Sequence, residues 1–361
     1  MVEASDHDPA GRRSRASAHR PPVRPGPSNG HGDRPGERQP QDLPILTITV
    51  NPALDMTVRV PRVVPGRKLR CGPPLYEPGG GGVNVSRAIR ELGGTSRAFL
   101  ALAGATGEHY RRLLDMLEID IEVWPIEGET RISLTVLETD ARQHYRFLLP
   151  GPPIDDSRAA ALLAEARRQI GLRSGLVVVS GSPLPGLPID FAGQLAAHAR
   201  STGSRAIVDI SGDALKGALE HRPFLVRMNH LEAQELVGIE GAERDAEPLA
   251  HRAARQIVAQ GGAENVIVTV GAAGAILVTA QGLFQYRPPY VEVVSAVGAG
   301  DSFVAALALG LAQGWSLTEA CRFGVAAAAS AVTGHSTELC KRPQTLRLLN
   351  QVTAVSEPAT G

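Results

Sequence analysis

Cysteine is scarce in this chain: Cys71, Cys321 and Cys340 are the only three among 361 residues. They are too few and too scattered for a disulfide framework or a Cys-x-x-Cys metal site, and they read as reduced thiols of a cytoplasmic protein. Net charge is lacking too. Lys plus Arg and Asp plus Glu both total 37, so no basic field points to nucleic acid or to an anionic membrane. No apolar run reaches the roughly 18 residues of a membrane span, and no charged-then-apolar leader opens the chain. The histidines, among them His109, His144 and His230, have no metal-ligand spacing. Two phosphate-binding motifs are also missing. The glycine run EPGGGGVN (77–84) is not followed by Gly-Lys-Ser/Thr. Neither that run nor residues 298–303 completes Gly-x-Gly-x-x-Gly, because Val85 and Phe303 occupy the third position. A P-loop is thereby excluded, and a dinucleotide-binding oxidoreductase loses its fingerprint.

What is present can build a sizeable core, since 43% of residues are hydrophobic. Residues 1–43 stand apart: they hold seven arginines, many Pro and Gly, and almost no apolar periodicity. Such a segment buries too little surface to offset its ordering entropy and is expected to be disordered. Its acids Glu3, Asp6, Asp8, Asp33 and Glu37 argue against a transit peptide. From residue 44 to 352, short β-rich runs such as ILTITV (45–50), GLVVVS (175–180) and NVIVTV (265–270) alternate with helix-period segments such as DSRAAALLAEARRQI (156–170). Near-continuous apolar strands between helices predict an α/β fold around a mostly parallel sheet. Residues 67–76, 131–138 and 142–149 are strand-like, half polar and lack intervening helices. They predict a small antiparallel sheet, a lid inserted at about 55–76 and 130–149. Residues 353–361 are expected to be a flexible end.

Two glycine-rich segments run into helices. Beyond EPGGGGVN, the stretch VSAVGAGDSF (294–303) removes side-chain bulk at Gly298, Ala299 and Gly300 just before an apolar helix. Bare N–H groups at a helix start attract anions. The next residue, Asp301, is itself an anion. As a helix cap it would contribute about 0.5–2 kcal/mol and need no further role. As a base it would accept a proton from an attacking hydroxyl while the N–H groups stabilise a transferring phosphoryl. The small residues before it and the apolar helix behind it favour chemistry.

NPALD (51–55), PGGGGVN (78–84), MNHLE (228–232) and VGAGDS (297–302), in this order and spacing, resemble the PfkB, or ribokinase-like, family of carbohydrate kinases over about residues 45–342. GATGEH (104–109), QHYRFLLPG (143–151) and RFGVAAAASA (322–331) resemble its minor-type 6-phosphofructokinase branch. The resemblance implies a three-layer α/β/α core with a β-sheet lid, and ATP-dependent phosphorylation of a hexose phosphate, foremost fructose 6-phosphate. The 1-phosphofructokinase and tagatose-6-phosphate kinase branches are similar, and a non-catalytic sugar or nucleotide sensor on the same fold is the alternative of another class.

It also implies roles. Asp301 becomes the catalytic base and Gly298, Ala299 and Gly300 the anion hole. Asp55, Gly80, Gly81 and Asn84 contact the sugar, although Asp55 by itself reads as a turn acid and Asn84 as a helix cap. Lys68 and Arg131 bind the sugar's phosphate, suited by a compact charge and a planar fork, with Ser182 in SGSPLPG nearby. Asn229 and Glu232 organise Mg²⁺ and nucleotide phosphates through water, and the same spacing is that of a capping box. Thr269, Gly271, Gly274 and Ser295 line the nucleotide together with Arg227, which stands where the family usually has lysine and keeps the positive charge. Relatives pair through the lid, so a homodimer is expected.

Overall fold

The computed structural model describes residues 42–358 except 142, 173–174, 239–245 and 336. The expected disorder of residues 1–41 and the last three residues lies outside the described residues. In chain order the strands are β1 (Ile45–Thr49), β2 (Ala53–Val60), β3 (Leu75–Gly79), β4 (Arg97–Leu102), β5 (Asp120–Pro125), β6 (Arg131–Glu138) and β7 (Gln143–Leu148). There follow β8 (Leu176–Ser180), β9 (Arg205–Asp209), β10 (Leu225–Asn229), β11 (Asn265–Thr269), β12 (Ala275–Thr279), β13 (Gly282–Arg287) and β14 (Thr353–Pro358). The helices are α1 (Gly81–Glu91), α2 (Gly104–Asp115), α3 (Asp156–Gly171), α4 (Phe191–Ser201) and α5 (Gly212–Leu219). They continue with α6 (His230–Val237), α7 (Ala246–Ala259), α8 (Ala299–Ala312), α9 (Leu317–Ala331) and α10 (Arg342–Leu349).

Ten strands form the main sheet in the order β14-β13-β12-β11-β10-β9-β8-β1-β4-β5. From β5 to β11 all pairs are parallel, and the pairs joining β11, β12, β13 and β14 are antiparallel. The parallel strands are buried on both faces, which is why ILTIT and LVVVS are apolar without alternation. One face packs on α3, α4 and α7, burying Leu162, Leu195 and Ala253. The other packs on α1, α8 and α9, burying Ile89, Phe303 and Val325. This is the expected ribokinase-like layering.

The small sheet has the order β3-β2-β6-β7 and is mixed rather than antiparallel. Its central pair, β2 and β6, runs parallel, while β2–β3 and β6–β7 are antiparallel. The parallel pairing is possible because β4, α2 and β5 intervene between β2 and β6, a crossover long enough to return the chain in the same direction. Residues 67–74, expected as strand, are irregular and exposed. Pro73 and Pro74 lack the N–H groups a ladder needs. The C-terminal end also differs from expectation: β14 pairs along β13 from Thr353 to Pro358, covering an edge otherwise left open.

Candidate active site

The chain runs from β1 outward to β4 and β5, then returns across β1 to β8, β9, β10 and β11. Ligands of open parallel sheets bind at the carboxyl ends of strands beside such a reversal. Asn51 follows β1, Ser182 follows β8, and Asp209, Asn229 and Thr269 end β9, β10 and β11. The amino ends of α1 and α8 meet the same sheet edge, and the two helices pack on each other.

α8 is buried at every residue from Ser302 to Ala312. Its N-cap is Gly298, held at φ 76° with no side chain to cap the first turn. Glycine suits that left-handed backbone, and the opening N–H groups of a helix have no partners within it. Asp301, in this first turn, accepts a hydrogen bond from Asn84 Nδ2 at 2.9 Å. Burial first, then the charge of Asp209, push the Asp301 carboxyl up to about 6. The Asn84 amide and the Arg227 and Arg87 guanidinium groups oppose that rise.

Asp55 lies within β2, not in a turn. It pairs with Glu77 across β3, and its carboxylate reaches toward Gly79, where an added Cβ would fall 2.1 Å from Asp55 Oδ2, so only glycine leaves room for it. Burial pushes Asp55 up to about 6 against the Ser133 hydrogen bond and the charges of Arg146 and Arg131, with Glu77 adding to the rise. Arg131 opens β6; its Nε donates to the Asn51 carbonyl at 3.2 Å and its Nη2 to Ser182 Oγ at 3.4 Å. Burial lowers its pKa. A cleft of about 420 Å³ brings together Asp55, Gly80, Asn84, Arg131, Ser182, Gly298 and Asp301. Gly81 adjoins it as the first residue of α1, close enough to β8 that a Cβ would lie 2.1 Å from Ser180 Oγ. Lys68 is not among the lining residues; it stands on the exposed segment between β2 and β3.

On the other side, Asn229 and Glu232 form a full capping box at the start of α6. Asn229 Oδ1 accepts from the Leu231 and Glu232 N–H groups, and Glu232 Oε2 accepts from the Asn229 N–H at 2.7 Å. Burial raises the Glu232 pKa, opposed by its hydrogen bond from Asn229 and the Arg227 charge. Arg227 donates to Asp209 Oδ1 at 3.1 Å and to Thr269 Oγ1 at 2.8 Å. Its guanidinium lies so near the α8 start that a Cβ on Gly300 would be 2.8 Å from Nη1. Gly271 and Gly274 bracket a single 3-10 turn between the antiparallel β11 and β12. Ser295 Oγ accepts from the Val297 N–H at 3.2 Å on the approach to α8.

Sequence reasoning missed Arg146, Ser133 and Thr337, which line the cleft, and Arg87, which contacts Asn84. Arg146 shares a face of β7 with Leu148, which also lines the cleft, but alternation in a polar strand does not tell which face turns to the site. Asp209, which had no assigned role, pairs with Arg227 and accepts from Ser180 Oγ at 2.9 Å.

Residues 45–344 match the description "pfkB family carbohydrate kinase". The chain is 39% identical over 306 residues to the ATP-dependent 6-phosphofructokinase isozyme 2 of Escherichia coli (strain K12), an overlap of 84% of this chain and 97% of that protein. It is 33% identical over 311 residues to the 1-phosphofructokinase of Bacillus subtilis (strain 168), covering 85% and 98%. Among solved structures, the phosphofructokinase-2 from Escherichia coli in complex with fructose-6-phosphate superposes with a TM-score of 0.77 at 37% identity, covering 86% of this chain and 99% of that one. The chain belongs to the pfkB family of carbohydrate kinases and is a sugar-phosphate kinase of the phosphofructokinase type.

Proposed function

We propose that this kinase transfers the γ-phosphoryl of ATP to the 1-hydroxyl of fructose 6-phosphate, with Asp301 as the base. The observation that carries the reading is the Asp301 carboxylate, set in the first turn of an uncapped buried helix and facing a cleft that also holds Arg131. Asp301 accepts the hydroxyl proton as oxygen attacks phosphorus; the bond to the leaving phosphate breaks, and the N–H groups around Gly298, Ala299 and Gly300 hold the charge of the transferring group. A carboxyl pushed up to about 6 is ionised at neutral pH yet basic enough to take a proton. Asp55 and Asn84 bind sugar hydroxyls, and a carboxylate is a two-oxygen acceptor suited to a diol. Arg131 and Arg146 hold the 6-phosphate, with Ser182 supporting Arg131.

The nucleotide occupies the β10–β11 side, along Thr269, Gly271, Gly274 and Ser295. A Mg²⁺ ion fits that side through water. Glu232 has one oxygen engaged by the Asn229 N–H and the other open, and among the described residues no group of three or more His, Cys, Asp or Glu forms a cage. That suits an ion that keeps several waters and takes the rest of its ligands from phosphates. When bound, Mg²⁺ would neutralise charge on the nucleotide phosphates. Arg227 holds Asp209 and Thr269 beneath the α8 start in place of a direct nucleotide contact.

A homodimer through the lid is part of this reading, in the cytoplasm. The outer strands β3 and β7 have open edges, and Leu75, Phe147, Leu148 and Leu149 are exposed along them. Lys68, outside the cleft of its own chain, stands on that same lid.

Replacing Asp301 by Asn tests the base. Turnover with fructose 6-phosphate should fall about 100- to 10,000-fold while MgATP still binds in a calorimeter. Turnover near that of the parent would remove Asp301 from the chemistry.

A further inference from the structure

Asn84 is an amide with two unlike ends, and nothing in its own chemistry decides which end faces Asp301. Arg87, one turn along α1, decides it. Its Nη1 donates to Asn84 Oδ1 at 3.1 Å and to the Pro78 carbonyl at 3.0 Å, and its Nη2 lies 3.5 Å from Glu77 Oε1. A guanidinium has donors only, so it can bind only the carbonyl end of the amide. The NH₂ end is left for the Asp301 carboxylate. Glu77 also accepts a hydrogen bond from Thr337, a residue of the cleft wall. One chain of contacts therefore runs from Thr337 through Glu77, Arg87 and Asn84 to Asp301, joining β3, α1 and α8.

We propose that Arg87 is a positioning residue for phosphoryl transfer: by fixing the orientation of the Asn84 amide, it holds Asp301 ionised and aimed at the acceptor hydroxyl. The proposal rests on Asp301 being the base. Without Arg87 the amide is free to turn over, and its carbonyl oxygen can face Asp301 comfortably only when that carboxyl carries a proton. The base would then be protonated where it should be ready.

Several charges act on this pair. Asp301 is faced by Asp209 and Arg227 from the β9–β10 side and by Arg87 from α1. It shares its cleft with Asp55, Arg131 and Arg146 of the lid sheet. Arg87 is faced by Glu77 of β3, and on its far side by a pocket of about 220 Å³ that includes Arg90, Glu91, Glu338 and Lys341. Arg90 and Lys341 are paired with Glu118 and Glu338, and among the described residues Arg87 is the side chain that donates to Asn84 Oδ1.

The test is the pH dependence of kcat at saturating substrates for the parent, Arg87→Met, Arg87→Lys and Asp301→Asn. Substrate phosphates titrate alike in all four, so differences between profiles come from the protein. Arg87→Met should lower kcat at neutral pH about 10- to 100-fold, as misplaced catalytic groups do. Its acidic limb should move up by about one pH unit, the size of a lost hydrogen bond to a carboxylate. Arg87→Lys, again a donor only, should restore most of both. If Arg87→Met does not fold, Arg87→Gln replaces it: glutamine can present either end, so the raised limb should appear there and not in Arg87→Lys. An acidic limb unmoved in Arg87→Met or Arg87→Gln, with kcat unchanged or lowered evenly across pH, would overturn the proposal provided Asp301→Asn is inactive. An active Asp301→Asn would instead overturn the base assignment on which it rests.

Discussion

The two sides of this site are built differently. Toward the lid sheet, charged ends face open space: Asp55, Arg131 and Arg146 all line the cleft, and among the described residues Arg131 donates to one carbonyl and one hydroxyl. Toward β10 and β11, the polar groups are engaged with one another. Arg227 bridges Asp209 and Thr269, and Asn229 and Glu232 satisfy each other's backbone in the capping box. The lid side keeps its charge for a ligand. The other side has a preset frame, to which a nucleotide can add contacts through backbone, water and the open Glu232 oxygen. Asp301 stands between them, in the first turn of a helix buried from Ser302 to Ala312.

Substitutions on each side should therefore separate cleanly. The largest effect is expected from Arg131→Ala, which should raise the KM for fructose 6-phosphate about 100-fold, the scale of a charge-assisted contact to phosphate worth roughly 1.5–3 kcal/mol. The KM for ATP should stay within a factor of three. Arg146→Ala should act in the same direction with about a tenfold effect. Equal changes in both KM values would erase the distinction between the sides.

A smaller effect is expected from Arg227→Lys, read by denaturant unfolding. One point charge cannot hold both Asp209 and Thr269, so about 1–2 kcal/mol of stability should be lost with the sugar-phosphate KM unchanged. A tenfold rise in the ATP KM at unaltered stability would instead make Arg227 a direct nucleotide contact.

An effect of similar size but opposite sign concerns Asp301 itself. Its folded pKa, about 6, lies above the ordinary carboxylate value of 3.8. A raised carboxyl supports the fold fully below the unfolded value, and that support is lost as pH rises through the folded one. Asp301→Asn should thus unfold at higher denaturant than the parent at pH 7.5, by about 1–2 kcal/mol given partial exposure. The advantage should vanish near pH 4. A variant less stable than its parent at pH 7.5 would show that the charged carboxylate is not strained by its surroundings.

The main sheet was legible because buried parallel strands such as LVVVS leave little choice of conformation, and because α8 is apolar all round. Asp301 and Glu232 were legible because a glycine-rich helix start and an N-x-x-E spacing are local signals. The lid was less so. A half-polar strand pairs according to which neighbour the crossover delivers, and the parallel β2–β6 pairing depends on β4, α2 and β5 between them. Arg87 and Arg146 were missed for the same reason. Arg87 reads as a solvated helix residue until the fold brings Glu77 of β3 against it, and Arg146 is a polar residue in a polar strand until the lid sheet brings it near Asp55.

The choice of sugar phosphate is decided by incubating the purified chain with MgATP and, separately, fructose 6-phosphate, fructose 1-phosphate and tagatose 6-phosphate, with products identified by phosphorus NMR. Fructose 1,6-bisphosphate from fructose 6-phosphate should form fastest. Faster turnover of fructose 1-phosphate, as the resemblance to the Bacillus subtilis 1-phosphofructokinase would favour, or no bisphosphate from any of the three sugars, would contradict it.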